Sequence, residues 1–346
     1  MRLVALALGT PPDARMETAL GQFFAGNPDR SLAVLRQVGA ELGLVGRVEA
    51  TLATGEPLER QLAGVHYLLV EGAPLTADRL ARAPDLRLVQ KHGEDCRNID
   101  LAAAAARGVP VVTLRRWANS SVAEHAVLLM LAVARRLLPA RDAARQPVAE
   151  AARSPSHYNW ARLGGLFPLR GATVGLVGLG EIGREVARRV APFDVHVLYT
   201  QRRRLGPALE RALGVEFRLL SALVAESDVV SLHVPLTADT RHLIGGTELA
   251  RMRRGAILVN TARGGLVDEA ALAAALRDGR LGGAGLDVRA EEPPPDAELA
   301  GLPTVVVTPH VAAGTGIELL RDVRAVLENV VRVRRGEPPA NLARND

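Results

Sequence analysis

Short apolar runs alternate with helix-patterned stretches along most of this chain, and that alternation limits its fold more than any other feature. Runs at 3–8, 67–70, 87–90 and 109–113 are separated by stretches such as 75–80 and 99–106, which carry helix formers and a capping acid. From Gly171 the alternation restarts, with strands predicted at 173–177, 195–200, 228–233, 256–260, 284–288 and 304–307. Runs so uniformly apolar suit strands covered by helices on both faces, as in parallel sheets joined by crossover helices. Ser121-Val122-Ala123-Glu124 has capping-box spacing and predicts a long helix through Leu138, while a last helix over 317–334 stops at Gly336-Glu337-Pro338-Pro339. The segment 151–169 has no clear period and reads as a connection. The expected fold class is α/β, with two doubly wound domains.

Composition excludes several function classes. With 346 residues, 48% of them hydrophobic, and a net charge of +5, the chain has apolar mass for two cores and is not predominantly disordered. A single cysteine, Cys96, excludes a disulfide framework and a thiolate-rich zinc site. The apolar stretch 126–134 lies between Glu124-His125 and Arg135-Arg136, too short to span a bilayer, and the opening residues reach Gly9-Thr10-Pro11 too soon for a signal peptide. A cytoplasmic protein without membrane or metal partners is expected. Nucleic acid is not an expected partner either: the cations are spread along the whole chain, and aromatics make up only 3%.

Gly178-Leu179-Gly180-Glu181-Ile182-Gly183 fits Gly-x-Gly-x-x-Gly, directly after the predicted strand 173–177 and at the opening of a predicted helix 182–190. In that context the pattern reads as a dinucleotide-binding turn. Gly178 allows the tight turn, Gly180 lets backbone approach a pyrophosphate, and Gly183 lets helix and strand pack closely. The helix opening at Glu181 and Ile182 offers free N–H groups. NAD would call for an acid at the end of the next strand, but that strand ends Tyr199-Thr200-Gln201-Arg202-Arg203-Arg204. Thr200 with Arg202 or Arg203 suits a 2′-phosphate, so NADP(H) is expected over NAD(H); three solvated surface arginines are the alternative.

Ligands of open α/β sheets bind beyond the carboxyl ends of the strands. Four residues lie just past such ends: Arg263, Asp287, Glu292 and His310. Beside a nicotinamide they suit hydride transfer at a carbonyl. Arg263 can fork onto a substrate carboxylate and polarise the neighbouring C=O, and His310 can protonate the developing alkoxide with a carboxylate stabilising its imidazolium.

At this point the sequence resembles the D-isomer-specific 2-hydroxyacid dehydrogenases, which include glyoxylate/hydroxypyruvate reductases and phosphoglycerate dehydrogenases. The resemblance runs from about Gln61 to Pro339. It rests on Asn98-Ile99-Asp100, Val122-Ala123-Glu124-His125, the glycine turn, His233-Val234-Pro235-Leu236, Asn260 to Asp268, Gly285-Leu286-Asp287-Val288, Glu292-Pro293 and Thr308-Pro309-His310. It implies Arg263, Glu292 and His310 as catalytic residues and Asp287 as a nicotinamide contact. Further cofactor contacts are implied at Glu181, Ile182, His233, Val234, Pro235, Thr261 and Ala262. It also implies a Rossmann cofactor domain (118–313) inserted in a flavodoxin-like substrate domain (1–117 and 314–346), a hinge-closed cleft and a homodimer. Tyr199-Thr200-Gln201-Arg202 looks like the family's NADPH-using reductases. No appended regulatory domain is expected after Gly336-Glu337-Pro338-Pro339, and Glu292 differs from the Gln expected of formate dehydrogenases.

One segment departs from the family. The substrate loop usually reads Gly-x-Gly-x-Asp, whereas here it is Lys91-His92-Gly93-Glu94-Asp95-Cys96-Arg97. Lys91, His92 and Gly93 are the candidate substrate contacts, and Lys91 is the only lysine in the chain. The acids Glu94 and Asp95 would repel an anionic substrate unless they point away or are paired with Lys91, Arg97 or a cationic group on the substrate. Trp117 and Tyr158-Asn159-Trp160 are candidates for pocket lining or packing, and His125 is assigned to structure. The expected activity is NADP(H)-dependent reduction of a small 2-oxoacid to a D-2-hydroxyacid. The alternatives are an NAD-using enzyme like phosphoglycerate dehydrogenase and a nucleotide-sensing binding protein like the C-terminal-binding-protein corepressors.

Overall fold

A computed structural model describes residues 2–6, 34, 37–44, 49–52, 62–70, 73–145, 163–294, 297–314 and 316–343. The chain divides into two compact units, one formed by Met1–Ala118 with Thr315–Asp346 and the other by Asn119–Gly314.

The first unit holds a five-stranded sheet in the order β2-β1-β3-β4-β5. Its strands are β1 (Arg2–Leu6), β2 (Glu49–Leu52), β3 (Tyr67–Val70), β4 (Leu88–Lys91) and β5 (Val111–Val112), all paired in parallel. Burial on both faces explains the uninterrupted apolar runs. Tyr67 and Leu69 pack with Val323, Val326, Leu327 and Val330 of the C-terminal helix (Gly316–Arg334). Leu68 and Val70 face the other way, toward Leu75, Leu80 and Ala104. Helices α1 (Ala77–Ala81) and α2 (Leu101–Ala106) start where Thr76 and Asp100 accept hydrogen bonds from the backbone N–H groups of Arg79 and Ala103.

The second unit holds a seven-stranded sheet in the order β12-β11-β10-β9-β6-β7-β8. From β6 (Thr173–Val177), one half continues through β7 (His196–Thr200) and β8 (Val215–Phe217). The other half continues through β9 (Val229–Leu232), β10 (Ile257–Asn260), β11 (Gly283–Leu286) and β12 (Val305–Val307). The strand order reverses between β6 and β9, so the glycine turn after β6 opens at the switch point where such sheets bind ligands. The expected class, two doubly wound α/β domains, is the observed architecture. No helix among the described residues is long and apolar enough to cross a membrane.

Two strands, β2 and β8, were not expected, and both lie at sheet edges, where a few residues paired on one side leave little apolar signal. The long helix predicted from Ser121 is two helices, α3 (Ala118–Ala134) and α4 (Leu137–Arg145). They are separated by Arg136 at φ +51°. Ser121 is buried within α3 instead of capping it. The cause is tertiary, because α3 lies directly on the sheet: a Cβ on Gly283 would sit 2.5 Å from a Val133 methyl, and one on Gly285 would sit 2.8 Å from Leu129 Cβ. Most of the predicted connection 151–169, with Tyr158, Asn159 and Trp160, lies outside the described residues.

Candidate active site

Two glycines of the turn, Gly178 and Gly183, have the steric constraints expected of them. Gly178 adopts φ +98°, and a Cβ there would lie 2.5 Å from the His233 carbonyl oxygen; a Cβ on Gly183 would lie 2.2 Å from the Gly178 oxygen. Gly180, by contrast, faces open space and leads into α5 (Glu181–Val190). The turn therefore packs tightly behind and is bare in front, the shape a pyrophosphate needs. Glu181 lies in the first turn of α5 and accepts a hydrogen bond from Asn119 Nδ2 at 2.5 Å, while Ile182 is half-buried beside it.

Beyond β7 the arginines differ in their partners. Arg204 donates to both carboxylate oxygens of Glu210, on α6 (Pro207–Leu213), at 2.8 and 2.9 Å. Tyr199 Oη also donates to Glu210, at 2.7 Å, and accepts from the Leu205 N–H. The bonds from Arg204 and Tyr199 outweigh desolvation and hold the Glu210 carboxyl at about 2. Arg202 and Arg203 are exposed and their side chains have no partner among the described residues; Thr200 is half-buried at the strand end.

A polar row crosses the sheet just past the strand ends. Asn260 is in register with Leu232 on one side and Leu286 on the other, so His233, Thr261 and Asp287 follow as neighbours on one face. Thr261 is 6% exposed and its hydroxyl has no hydrogen-bond partner among the described residues; the same holds for both buried ring nitrogens of His233. Burial pushes the His233 imidazole down to about 4, which leaves it neutral. Buried polar groups are ordinarily satisfied. These orphans, in a row that starts beside Gly178 of the turn, therefore fit a nicotinamide nucleotide that would supply their partners. Val234 is half-buried, Pro235 exposed and Ala262 half-buried beside them.

Asp287 is committed differently. It is 1% exposed, and its carboxylate accepts from Thr308 Oγ1 at 2.6 Å, Val311 N at 3.0 Å and Ala312 N at 2.9 Å. Its own carbonyl accepts from the His310 N–H at 2.8 Å. This clamp holds His310 at φ +53°, a strained value for a non-glycine residue. His310 Nδ1 meets Glu292 Oε2 at 2.6 Å, and the other carboxylate oxygen accepts from Arg289 N at 2.9 Å. Burial raises the Glu292 pKa, but the hydrogen bonds from His310 and Arg289 and the charges of His310 and Arg263 together bring it below the ordinary value. The backbone around Arg263 is held by Asn260, whose side chain donates to the Arg263 carbonyl at 2.8 Å and accepts from Ala262 N at 3.0 Å, while the Arg263 guanidinium donates to the Ala262 carbonyl at 2.6 Å.

Residues 127–312 match the family described as D-isomer specific 2-hydroxyacid dehydrogenase, NAD binding domain. The chain belongs to the D-isomer specific 2-hydroxyacid dehydrogenase family. It is an NAD(P)-dependent oxidoreductase of that kind. It is 37% identical over 290 residues to the glycerate dehydrogenase of Methylorubrum extorquens, covering 82% of this chain and 88% of that one. It is 41% identical over 274 residues to the glyoxylate reductase of Korarchaeum cryptofilum, covering 79% and 80%. The D-3-phosphoglycerate dehydrogenase of Mycobacterium tuberculosis is 41% identical over 296 residues, which is 84% of this chain but 54% of that protein. Among solved structures, the TT0316 protein from Thermus thermophilus superimposes with a TM-score of 0.67 at 34% identity, covering 99% of this chain and 100% of that one.

In the first unit of this dehydrogenase, the substrate-loop candidates are tied down. Lys91, 6% exposed, donates to Asn98 Oδ1 at 2.9 Å. His92 is buried with Nε2 3.8 Å from Asp322 Oδ2, and Gly93 takes φ +116° while its carbonyl accepts from Leu114 N at 3.2 Å. Asp95 pairs with Arg97, whose Nε lies 2.8 Å from each carboxylate oxygen, so its negative charge is locally balanced. Trp117 is half exposed and lies under the Arg321 guanidinium at 5.0 Å.

His125, assigned to structure from the sequence, and Thr308 join the Asp287 clamp. Thr308 gives its hydroxyl proton to Asp287, so it accepts from His125 Nε2 at 2.8 Å, and the same nitrogen is 3.4 Å from Asp287. His125 thus supports the His310 loop. No sequence signal joins them, because the pairing depends on a tertiary contact: Leu129 sits on Gly285, and one helical turn back from Leu129 matches two strand residues on from Gly285, which places His125 over Asp287.

Proposed function

We propose that this dehydrogenase reduces a small 2-oxoacid of the glyoxylate or hydroxypyruvate type to the D-2-hydroxyacid, with NADP(H) favoured over NAD(H). The observation that carries this reading is the His310–Glu292 pair at 2.6 Å, on a loop clamped by Asp287 at the same strand ends as the orphaned Thr261 and His233. The nicotinamide, when bound, supplies the hydride for C2 of the oxoacid. Gly178, Gly180, Gly183, Thr261, Ala262 and the His233-Val234-Pro235 segment would hold the nucleotide, and Thr200, Arg202 and Arg203 its 2′-phosphate.

Arg263 orients the substrate carboxylate and polarises the adjacent carbonyl. His310 donates its Nδ1 proton to Glu292, so its Nε2 is the atom that protonates the new alkoxide. Glu292, held ionised, stabilises the imidazolium and fixes the ring's angle. Lys91, His92 and Gly93 are the proposed substrate contacts of the first unit. That unit is read as the substrate domain and the second as the cofactor domain, in a cytoplasmic homodimer. The 41% identity to a D-3-phosphoglycerate dehydrogenase favours one second reading, an NAD-using enzyme of that type.

Steady-state rates with NADPH and NADH against glyoxylate, hydroxypyruvate, pyruvate and phosphohydroxypyruvate separate these readings. NADPH-dependent reduction of glyoxylate or hydroxypyruvate is expected, and preference for NADH with the phosphorylated acid would overturn it. No turnover with any of them would favour a nucleotide-sensing binding protein. His310→Asn should lower kcat by about 10²- to 10⁴-fold with little change in KM for NADPH.

A further inference from the structure

Two carboxylates hold adjacent N–H groups of one short stretch of backbone near His310. Arg289 N donates to Glu292 Oε1 at 2.9 Å, and the next N–H, that of Ala290, donates to Glu269 Oε1 at 2.7 Å. Glu269 opens α7 (Glu269–Arg277), directly after the Arg263 loop. Its carboxylate also takes the Arg289 guanidinium, with Nε 3.1 and 3.2 Å from its two oxygens and Nη2 at 3.1 Å. The pair is largely withdrawn from water, at 7% exposure for the Arg289 side chain and 21% for that of Glu269. Gly264, next to Arg263, is pressed on the same peptide: a Cβ there would sit 1.9 Å from the Arg289 carbonyl carbon and 2.3 Å from Ala290 N.

We propose that the Glu269–Arg289 ion pair is a positioning device for catalysis, holding the 289–290 peptide so that Glu292 keeps one oxygen on the backbone and the other on His310. The inference rests on Glu292 and His310 acting as the acid–base pair. Glu269 touches neither substrate nor His310 and acts through the peptide it anchors. It ties the loop carrying Arg263 to the loop carrying Glu292, so the cation and the carboxylate keep a fixed relation. The charged groups around Glu292 are His310 and Arg263, with Arg289 and Glu269 reaching it through this clamp. Loosening the clamp removes a hydrogen bond to the ionised carboxylate and favours its protonation.

The test compares Glu269→Gln, Gly264→Ala and the double variant E269M/R289M with Glu292→Gln as the reference, all in the holoenzyme with NADPH and glyoxylate. The double variant replaces both charges with apolar chains of similar length, which spares the fold when a lone buried charge would not. Each clamp variant is expected to move the acid limb of the kcat/KM profile up by about one pH unit and to lower kcat about tenfold with KM for NADPH unchanged. In the proton NMR spectrum, the downfield signal of the His310 Nδ1 proton, assigned with His310→Asn, should shift in the clamp variants and vanish in Glu292→Gln. If Glu292→Gln leaves turnover and that signal intact, the acid–base reading itself fails. If Glu292→Gln removes both while the clamp variants leave limb and signal in place, the positioning role is overturned.

Discussion

The arginines after β7 have different chemical circumstances despite identical side chains. Arg204 is engaged by Glu210 and stacks over Phe217 at 5.7 Å, whereas Arg202 and Arg203 project from a loop whose course is set by the Tyr199–Leu205 hydrogen bond. Replacing either Arg202 or Arg203 by Ala should raise KM for NADPH about tenfold, the scale of one lost charge-assisted bond, and leave KM for NADH unchanged. Equal effects on both cofactors would show that neither arginine reads a 2′-phosphate. At this scale local sequence shows which residue types lie past the strand ends but not the partners that they take. His310 and Glu292 were legible because each follows a strand end. Lys91 is a candidate substrate contact by its place in the sequence, but its burial and its hydrogen bond to Asn98 appear only in the fold. Glu269 and Arg289 carried no signal, because an acid and an arginine twenty residues apart have no periodicity that joins them.

Helix α3 and strand β11 work as one piece. The bare backbone of Gly283 and Gly285 lets the helix approach closely enough for His125 to reach Thr308, and through it the loop of His310. Gly285→Val would drive a side chain into Leu129, and overpacking of that kind costs about 1–3 kcal/mol. The expected result is a thermal midpoint lowered by several degrees together with a reduced kcat. A lower midpoint with full kcat would uncouple helix packing from the catalytic loop. Strands buried on both faces were legible for the same reason that they are buried, their runs being apolar throughout. The edge strands β2 and β8, and the break at Arg136, were not legible, since neither pairing on one side nor a single left-handed residue leaves a pattern along the chain.

At the scale of the whole molecule, His233 and Glu210 make stability depend on pH in the same direction. His233 has a folded value of about 4 against an ordinary 6.5, so the unfolded chain takes up the proton first and stability is lost as pH falls from 6.5 toward 4. That difference corresponds to about 3 kcal/mol when complete. Glu210, at about 2 against 4.5, adds a further loss between those values. In urea titrations of the nucleotide-free enzyme, His233→Gln should flatten the decline in midpoint between pH 6.5 and 4 while leaving the decline below 4 in place; an unchanged slope above 4 would show that His233 is not buried neutral. Alternating apolar runs, the glycine turn and the strand-end Arg, Glu and His were written in local sequence, because covering both faces of a sheet and turning a chain tightly demand particular residues at particular spacings. Which arginine is spent on Glu210, which peptide Glu269 holds and which loop His125 supports were decided only by folding. Those partners are distant in sequence and meet through the register of parallel strands, which no run of neighbouring residues encodes.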